Sequence, residues 1–155
     1  MRKYLIYKYF SNHFDLWHVN GITIIVNIKI ELMSKRILAV DDDPDIVDVI
    51  KIILEDEGYE VSTLTSGKNI LNVISSIRPD LILLDVMLGG MDGREICKSI
   101  KSHAIFKYIP IVMISATHNL QSLLKLPDSP NDFLSKPFDI ENLLFKVKKQ
   151  LYIGR

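Results

Sequence analysis

Three consecutive carboxylates, Asp41, Asp42 and Asp43, close one apolar run of the chain, and a lone carboxylate, Asp85, closes another. Ser115 ends a third run, and Lys136 follows a fourth, directly before Pro137. Carboxylates crowded together repel, and one of them takes up a proton unless positive charge compensates. A hard divalent cation such as magnesium compensates through oxygen ligands while keeping several waters. A lysine adds a second, fixed positive charge. A phosphoryl group suits such surroundings, because its oxygens can bridge metal, ammonium and serine hydroxyl. A carboxylate can also be the nucleophile in phosphoryl transfer, giving an aspartyl phosphate. The protein then positions the group and neutralises charge on its equatorial oxygens. On this reading Asp85 is the phosphoacceptor, Asp42 the main metal ligand, and Ser115 and Lys136 hold the transferred group.

That chemistry requires the four runs to end on one rim of a sheet, and the pattern between them supplies the sheet. Ile37 to Val40 and Leu81 to Leu84 are short continuous apolar runs, as in parallel strands buried on both faces. Ile109 to Ile114 and Phe133 to Ser135 read as two more strands, and Tyr59 to Leu64 alternates like an edge strand. Between them lie helical patterns. Asp43 and Pro44 start the first, whose apolar face is Ile46, Val49, Ile50, Ile53 and Leu54, and Gly58 stops it. Ile70, Val73, Ile74 and Ile77 mark a second, ended by Pro79; Ile96, Cys97 and Ile100 mark a third. Leu120, Leu123 and Leu124 suggest a fourth, which Pro127 and Pro130 confine to about two turns. Asp139 caps a last one carrying Ile140, Leu143, Leu144, Val147 and Leu151. Strict alternation with short links implies right-handed crossovers and an α/β, doubly wound sheet of five parallel strands. The flavodoxin-like order 2-1-3-4-5 follows, with its ligand site at the carboxyl ends of strands one and three.

Composition narrows the function classes. The 19 Lys and Arg balance the 19 Asp and Glu, so nothing calls for direct nucleic-acid binding. The single cysteine, Cys97, excludes an intrachain disulfide and a multi-cysteine metal site, and fits a reducing, cytoplasmic setting. The most apolar N-terminal stretch, Ile22 to Val26, is far short of the ~20 residues that cross a bilayer, so no membrane partner is expected. His13, His18, His103 and His118 form no ligand spacing and read as surface residues. The chain divides near Met33: residues 1–32 form an N-terminal extension (disordered, a hairpin, or a consequence of start-site choice), and 33–155 the alternating domain. The extension is expected to be dispensable, though Gly21 to Ile30 has the strand propensity for an added edge strand or hairpin instead.

Four motifs in this order, Ile37-Leu38-Ala39-Val40-Asp41-Asp42-Asp43-Pro44, Leu83-Leu84-Asp85-Val86-Met87-Leu88 with Met91-Asp92-Gly93, Ile114-Ser115-Ala116, and Leu134-Ser135-Lys136-Pro137-Phe138, resemble the response-regulator receiver domains of two-component signal transduction, the CheY-like superfamily. The resemblance covers roughly Ser34 to Tyr152. It implies that Asp85 takes phosphate from a phosphohistidine on a sensor histidine kinase or histidine phosphotransfer protein. It also implies that Asp41 and Asp42 form an acidic pair, with Asp42, Asp85 and the Met87 carbonyl on magnesium. Ser115 and Phe133 become the switch residues, Lys136 the partner of the phosphoryl oxygens, and Lys136-Pro137 a cis peptide.

The expectation is therefore a single-domain phosphoacceptor switch, not a turnover enzyme, that catalyses its own phosphorylation and slow dephosphorylation. It would signal to a downstream target protein, with a phosphorylation-dependent homodimer as a further form. Two alternatives stand beside it: a phosphorylation-independent interaction module, and a magnesium-dependent aspartyl-phosphate phosphatase, which would want an acid where Met87 stands. Some positions depart from the family pattern. Gly89 replaces a common proline, Ser129-Pro130 stands where Gly-Ala is usual, and Phe133 lacks the hydroxyl of the commoner tyrosine. Asp43 and Asp92 read first as helix caps.

Overall fold

A computed structural model describes residues 7–11, 14–19, 22–26, 35–116 and 128–153. The chain divides into two compact units, Met1–Ser34 and Lys35–Arg155. The expected boundary at residues 32 and 33 falls outside the described residues. In the first unit, strands Tyr7–Ser11, Phe14–Val19 and Ile22–Val26 pair antiparallel in chain order, with Tyr7 opposite His18 and Val19 opposite Ile22.

The second unit begins with β1 (Arg36–Val40), α1 (Pro44–Asp56), β2 (Glu60–Leu64), α2 (Ile70–Ile77) and β3 (Leu81–Asp85). It continues with α3 (Gly93–Ser102), β4 (Ile111–Ser115), β5 (Asp132–Ser135) and α4 (Ile140–Lys148). The five strands are parallel in the order β2-β1-β3-β4-β5, the expected doubly wound topology. Ile37 stands opposite both Val61 and Leu81, Leu83 opposite Val112, and Leu134 opposite Ile114.

Period-two alternation explains why continuous apolar runs are needed. Ile37, Ala39, Leu83, Val112, Ile114 and Leu134 face the helices α1 and α4, meeting Ile50, Leu54, Leu143 and Val147. Leu38, Val40, Ile82, Leu84 and Met113 face α2 and α3, meeting Ile70, Ile74, Ile96, Cys97 and Ile100. Because both faces are covered, no strand residue from Leu81 to Asp85 is left to solvent. Truncating a fully buried leucine such as Leu83 (0% exposed) to alanine would cost about 2–5 kcal/mol.

Side chains set the helix ends as their types suggest. Asp43 accepts from the Asp45 amide with Pro44 as the first helical residue, Asp92 accepts from the Arg94 amide, and Asp139 from the Asn142 amide. Gly58, at φ +87°, ends α1 in a backbone region that favours glycine. Several boundaries differ from expectation: β2 starts at Glu60 instead of Tyr59, and β5 at Asp132 instead of Phe133. β4 starts after Pro110 instead of including it, and Pro110 serves only as acceptor for the Ile82 amide at 3.0 Å. The last helix changes to a π turn at Lys149–Ile153, which still buries Leu151. The expected short helix through Leu120, Leu123 and Leu124 lies outside the described residues. No helix among the described residues is long and apolar enough to cross a membrane.

Candidate functional site

The carboxyl ends of β1, β3 and β4 and the turn after β5 surround one cleft of about 620 Å³, lined among others by Asp41, Asp42, Asp85, Ser115 and Lys136. Each side chain arrives there because its strand stops being apolar one residue from the rim. Asp41 and Asp85 are nearly enclosed (1% and 3% exposed), Ser115 is buried, and Asp42 reaches solvent. One carboxylate oxygen from each of Asp41, Asp42 and Asp85 lies within 4.8 Å of the others.

Lys136 holds this group together from across the sheet. Its Nζ donates to Asp41 Oδ2 at 2.7 Å and pairs with Asp85 Oδ1 at 3.0 Å. Its backbone amide donates to the Ser115 carbonyl at 2.7 Å, so the turn that carries it is tied to the end of β4. The Lys136–Pro137 peptide is cis. The remaining oxygens are held locally: the Met87 amide donates to Asp85 Oδ2 at 2.8 Å, and the Asp43 amide to Asp41 Oδ1 at 3.1 Å. Among the described residues, no hydrogen bond or ion pair engages the Asp42 carboxylate.

These partners set the protonation behaviour. Burial raises the Asp85 carboxyl above the ordinary carboxylate range, and the charge of Asp41 adds to it, against the opposing pull of Lys136 and the Met87 amide. Burial alone would lower Lys136, but its bonds to Asp41 and Asp85 and their negative charge outweigh it and hold the ammonium above its usual range. The site therefore keeps a permanent cation beside a carboxylate that is poorly compensated.

A hairpin forms the outer wall. Met87–Leu88 pairs antiparallel with Met91–Asp92, joined by Gly89 and Gly90 at φ +53° and +90°. A two-residue turn with positive φ at both positions suits glycine, and proline, fixed near φ −65°, is excluded from position 89. That is the physical reason for this departure from the family pattern. The Met87 side chain is 75% exposed at the cleft. Asp92 lines the cleft while its carboxylate caps α3 and binds the Arg94 guanidinium at 2.6 Å.

Of the remaining candidates, Phe133 does not line the cleft; it is half-buried on β5 and packs on the cluster beneath α2 and α3. Cys97 is buried, and burial pushes its thiol up to about 11. His103 stacks on Phe106 at 4.2 Å, whereas His118 and Thr117 lie outside the described residues. Two buried charges were not singled out from sequence. Lys101 Nζ donates to the carbonyls of Lys107 and Ile109 and to Asn131 Oδ1, and Asp132 accepts from Lys146, Lys149 and Gln150. Helical spacing from Cys97 puts Lys101 on the buried face of α3, a signal that could have found it, whereas the partners of Asp132 lie 14 to 18 positions away and no local pattern announces them.

The family model for the response regulator receiver domain matches residues 37–148. The chain is 35% identical over 122 residues to the DNA-binding response regulator MtrA of Mycolicibacterium smegmatis, covering 78% of this chain and 52% of that protein. The corresponding protein of Mycobacterium tuberculosis is 34% identical over 122 residues, so the chain spans about half the length of the curated relatives it matches. Among solved structures, a response regulator from Chloroflexus aurantiacus superposes with a TM-score of 0.70 at 34% identity, covering 78% of this chain and 98% of that one. The chemotaxis response regulator CheY4 of Vibrio cholerae gives a TM-score of 0.68 at 31% identity, covering 76% and 98%.

Proposed function

The chain belongs to the response regulator receiver domain family, and from that premise we propose that it is a phosphoacceptor switch in which Asp85 takes a phosphoryl group from a phosphohistidine donor. The observation that carries the reading is the position of Lys136 Nζ, shared between Asp41 at 2.7 Å and Asp85 at 3.0 Å beside an exposed Asp42.

The donor set fits magnesium: three carboxylates offer hard oxygen atoms within 4.8 Å of one another, with the solvent-facing side open for the waters this ion retains. Asp42, Asp85 and the Met87 carbonyl would hold it, with Asp41 beside them. When bound, the ion supplies positive charge against the phosphoryl oxygens and the attacking carboxylate. The chain's own groups do the rest. An ionised Asp85 oxygen attacks phosphorus, the phosphorus–nitrogen bond of the phosphohistidine breaks, and the leaving imidazole nitrogen takes a proton from solvent. Lys136 neutralises charge on the transferred oxygens, and the Ser115 hydroxyl donates to one of them. The Met87 amide keeps Asp85 in the attacking orientation.

Phosphorylation then shifts a pre-existing equilibrium that Ser115 and Phe133 read out. The partners are a sensor histidine kinase or phosphotransfer protein upstream and a target protein downstream, in the cytoplasm. The DNA-binding activity named for MtrA belongs to proteins about twice the length matched here.

The test is incubation of the native chain and Asp85→Asn with acetyl phosphate, with and without magnesium, followed by intact-mass measurement. A magnesium-dependent phosphoryl adduct on the native chain alone is the expected result. An adduct on both chains, or on neither, refutes the assignment, and multiple turnover of a phosphoester would identify a phosphatase instead.

A further inference from the structure

A residue with no side chain sits against the backbone of the phosphoacceptor. Gly93 is the first residue of α3, and its amide donates to the Val86 carbonyl at 2.8 Å. A Cβ at this position would fall well inside van der Waals contact of the Asp85 carbonyl oxygen. It would also lie 3.0 Å from the Asp85 carbonyl carbon and 3.1 Å from Val86 Cα. All three atoms are backbone, so no side-chain rotation can relieve the overlap. At Gly67, by contrast, the nearest atom to an added Cβ is the flexible end of Ile96.

What yields is decided by how each side is anchored. The end of β3 is held by the sheet: Asp85 stands in register with Ile114, and the Val86 amide donates to the Ile114 carbonyl at 3.0 Å. The body of α3 is anchored by Ile96, Cys97 and Ile100 in the core, but its first turn is held by less, namely the Gly93–Val86 bond and the Asp92 cap. Displacement therefore falls on the first turn of α3 and on the hairpin Met87–Leu88 and Met91–Asp92 that leads into it. That hairpin carries the Met87 amide, which orients Asp85 Oδ2 at 2.8 Å.

We infer that Gly93 is a positioning residue for phosphotransfer: its bare Cα lets the first turn of α3 abut the Asp85 carbonyl, and this contact fixes the Met87 amide that aims the Asp85 carboxylate. The inference rests on Asp85 being the phosphoacceptor. Its effect acts through the hairpin and needs no contact between Gly93 and the phosphoryl group. A misplacement of about 1 Å can cost on the order of 10²-fold in rate, so the expected loss is large even where the fold is intact.

The test compares Gly93→Ala with Gly58→Ala in the full chain. Gly58, at φ +87° with nothing within 4 Å of an added Cβ, is strained by the substitution but far from Asp85. Both variants should melt at lower temperature than the native chain. Only Gly93→Ala should slow acetyl-phosphate labelling by about 10²-fold and shift the Met87 amide resonance in the ¹⁵N-correlated NMR spectrum. If Gly93→Ala is unfolded in buffer, the same measurements are made in trimethylamine N-oxide, which favours the compact state. Labelling within about twofold of the native rate, or an equal loss in both glycine variants, overturns the inference. Failure of the native chain to label at all would instead remove the phosphoacceptor reading on which it depends.

Discussion

Replacing Lys136 with methionine keeps the length and packing of the side chain and removes its charge. In the native chain that charge stands 2.7 Å from Asp41 and 3.0 Å from Asp85. Without it, and without a metal, two buried carboxylates face each other with oxygens no more than 4.8 Å apart. At an effective dielectric of about 20, unit charges at that separation repel by at least ~3.5 kcal/mol. Removing one partner of a buried pair costs about 3–5 kcal/mol, in agreement. The pH dependence has a definite sign. Burial and Asp41 already raise Asp85 in the folded chain, and loss of Lys136 raises it further. A group raised on folding holds its proton more readily in the native state, so its stabilising effect is lost as pH rises through the window above the unfolded carboxylate value. Urea unfolding in EDTA, followed by far-ultraviolet circular dichroism, should show Lys136→Met less stable by about 3–5 kcal/mol at pH 7. The gap should close as the pH is lowered into the ordinary carboxylate range, and magnesium should narrow it at pH 7 by binding the native state. A loss under about 1 kcal/mol at pH 7, the size of a solvent-exposed ion pair, would refute the electrostatic argument. So would a gap independent of pH.

Three further outcomes follow from the geometry. Met87 presents an apolar, exposed side chain at the cleft and cannot orient an attacking water; Met87→Asn should shorten the lifetime of the phosphorylated chain, and an unchanged decay rate counts against that role. Burial alone would raise Asp132, but hydrogen bonds from Lys146 and Lys149 and the Phe133 amide lower it below the usual carboxylate range. Its stabilisation is present above the unfolded value and lost as pH falls through the lowered folded one, so Asp132→Asn should cost about 2 kcal/mol at neutral pH. That cost should disappear in acid, as denaturant midpoints across pH would show. Burial holds the Cys97 thiol up at about 11; at pH 8 it should resist a thiol reagent in the folded chain and react at once in denaturant.

The sheet was legible because buried parallel strands demand uninterrupted apolar runs, and Ile37 to Val40 and Leu81 to Leu84 are such runs. Caps were legible for a local reason: Asp43, Asp92 and Asp139 each bond an amide two or three residues on. Strand order then followed from alternation and handedness, which brought Asp41, Asp42, Asp85, Ser115 and Lys136 to one cleft. Contacts of long sequence separation were a different matter. Lys101 reaches Asn131 across 30 positions, and although its spacing from Cys97 puts it on the buried face of its helix, unlike the exposed Lys98, nothing local names that partner. The Gly89–Gly90 turn was visible as glycines, but the hairpin it closes was not, since two-residue strands carry no periodicity.

Lys136 also limits how far phosphorylation alone can drive the switch. It follows directly on β5, the strand that carries Phe133, and its amide is bonded to the Ser115 carbonyl. A phosphoryl group on Asp85 would bring a charge of about −1.5 to −2 and draw the ammonium away from Asp41, pulling on the edge strand and on Ser115 together. The free energy available through that one cation is of the order of breaking its buried ion pair, about 3–5 kcal/mol, or from a few hundredfold to a few thousandfold in an equilibrium. Moving a population from 1:99 to 99:1 needs about 5.5 kcal/mol of differential stabilisation. The remaining ~0.5–2.5 kcal/mol must come from the Ser115 hydrogen bond and from a target that binds the active form more tightly. Titrating the phosphorylated chain with such a target should therefore complete a transition that phosphorylation by itself leaves partial. If Ser115 and Phe133 resonances reached their final positions before any target was added, the cation would not be setting the limit.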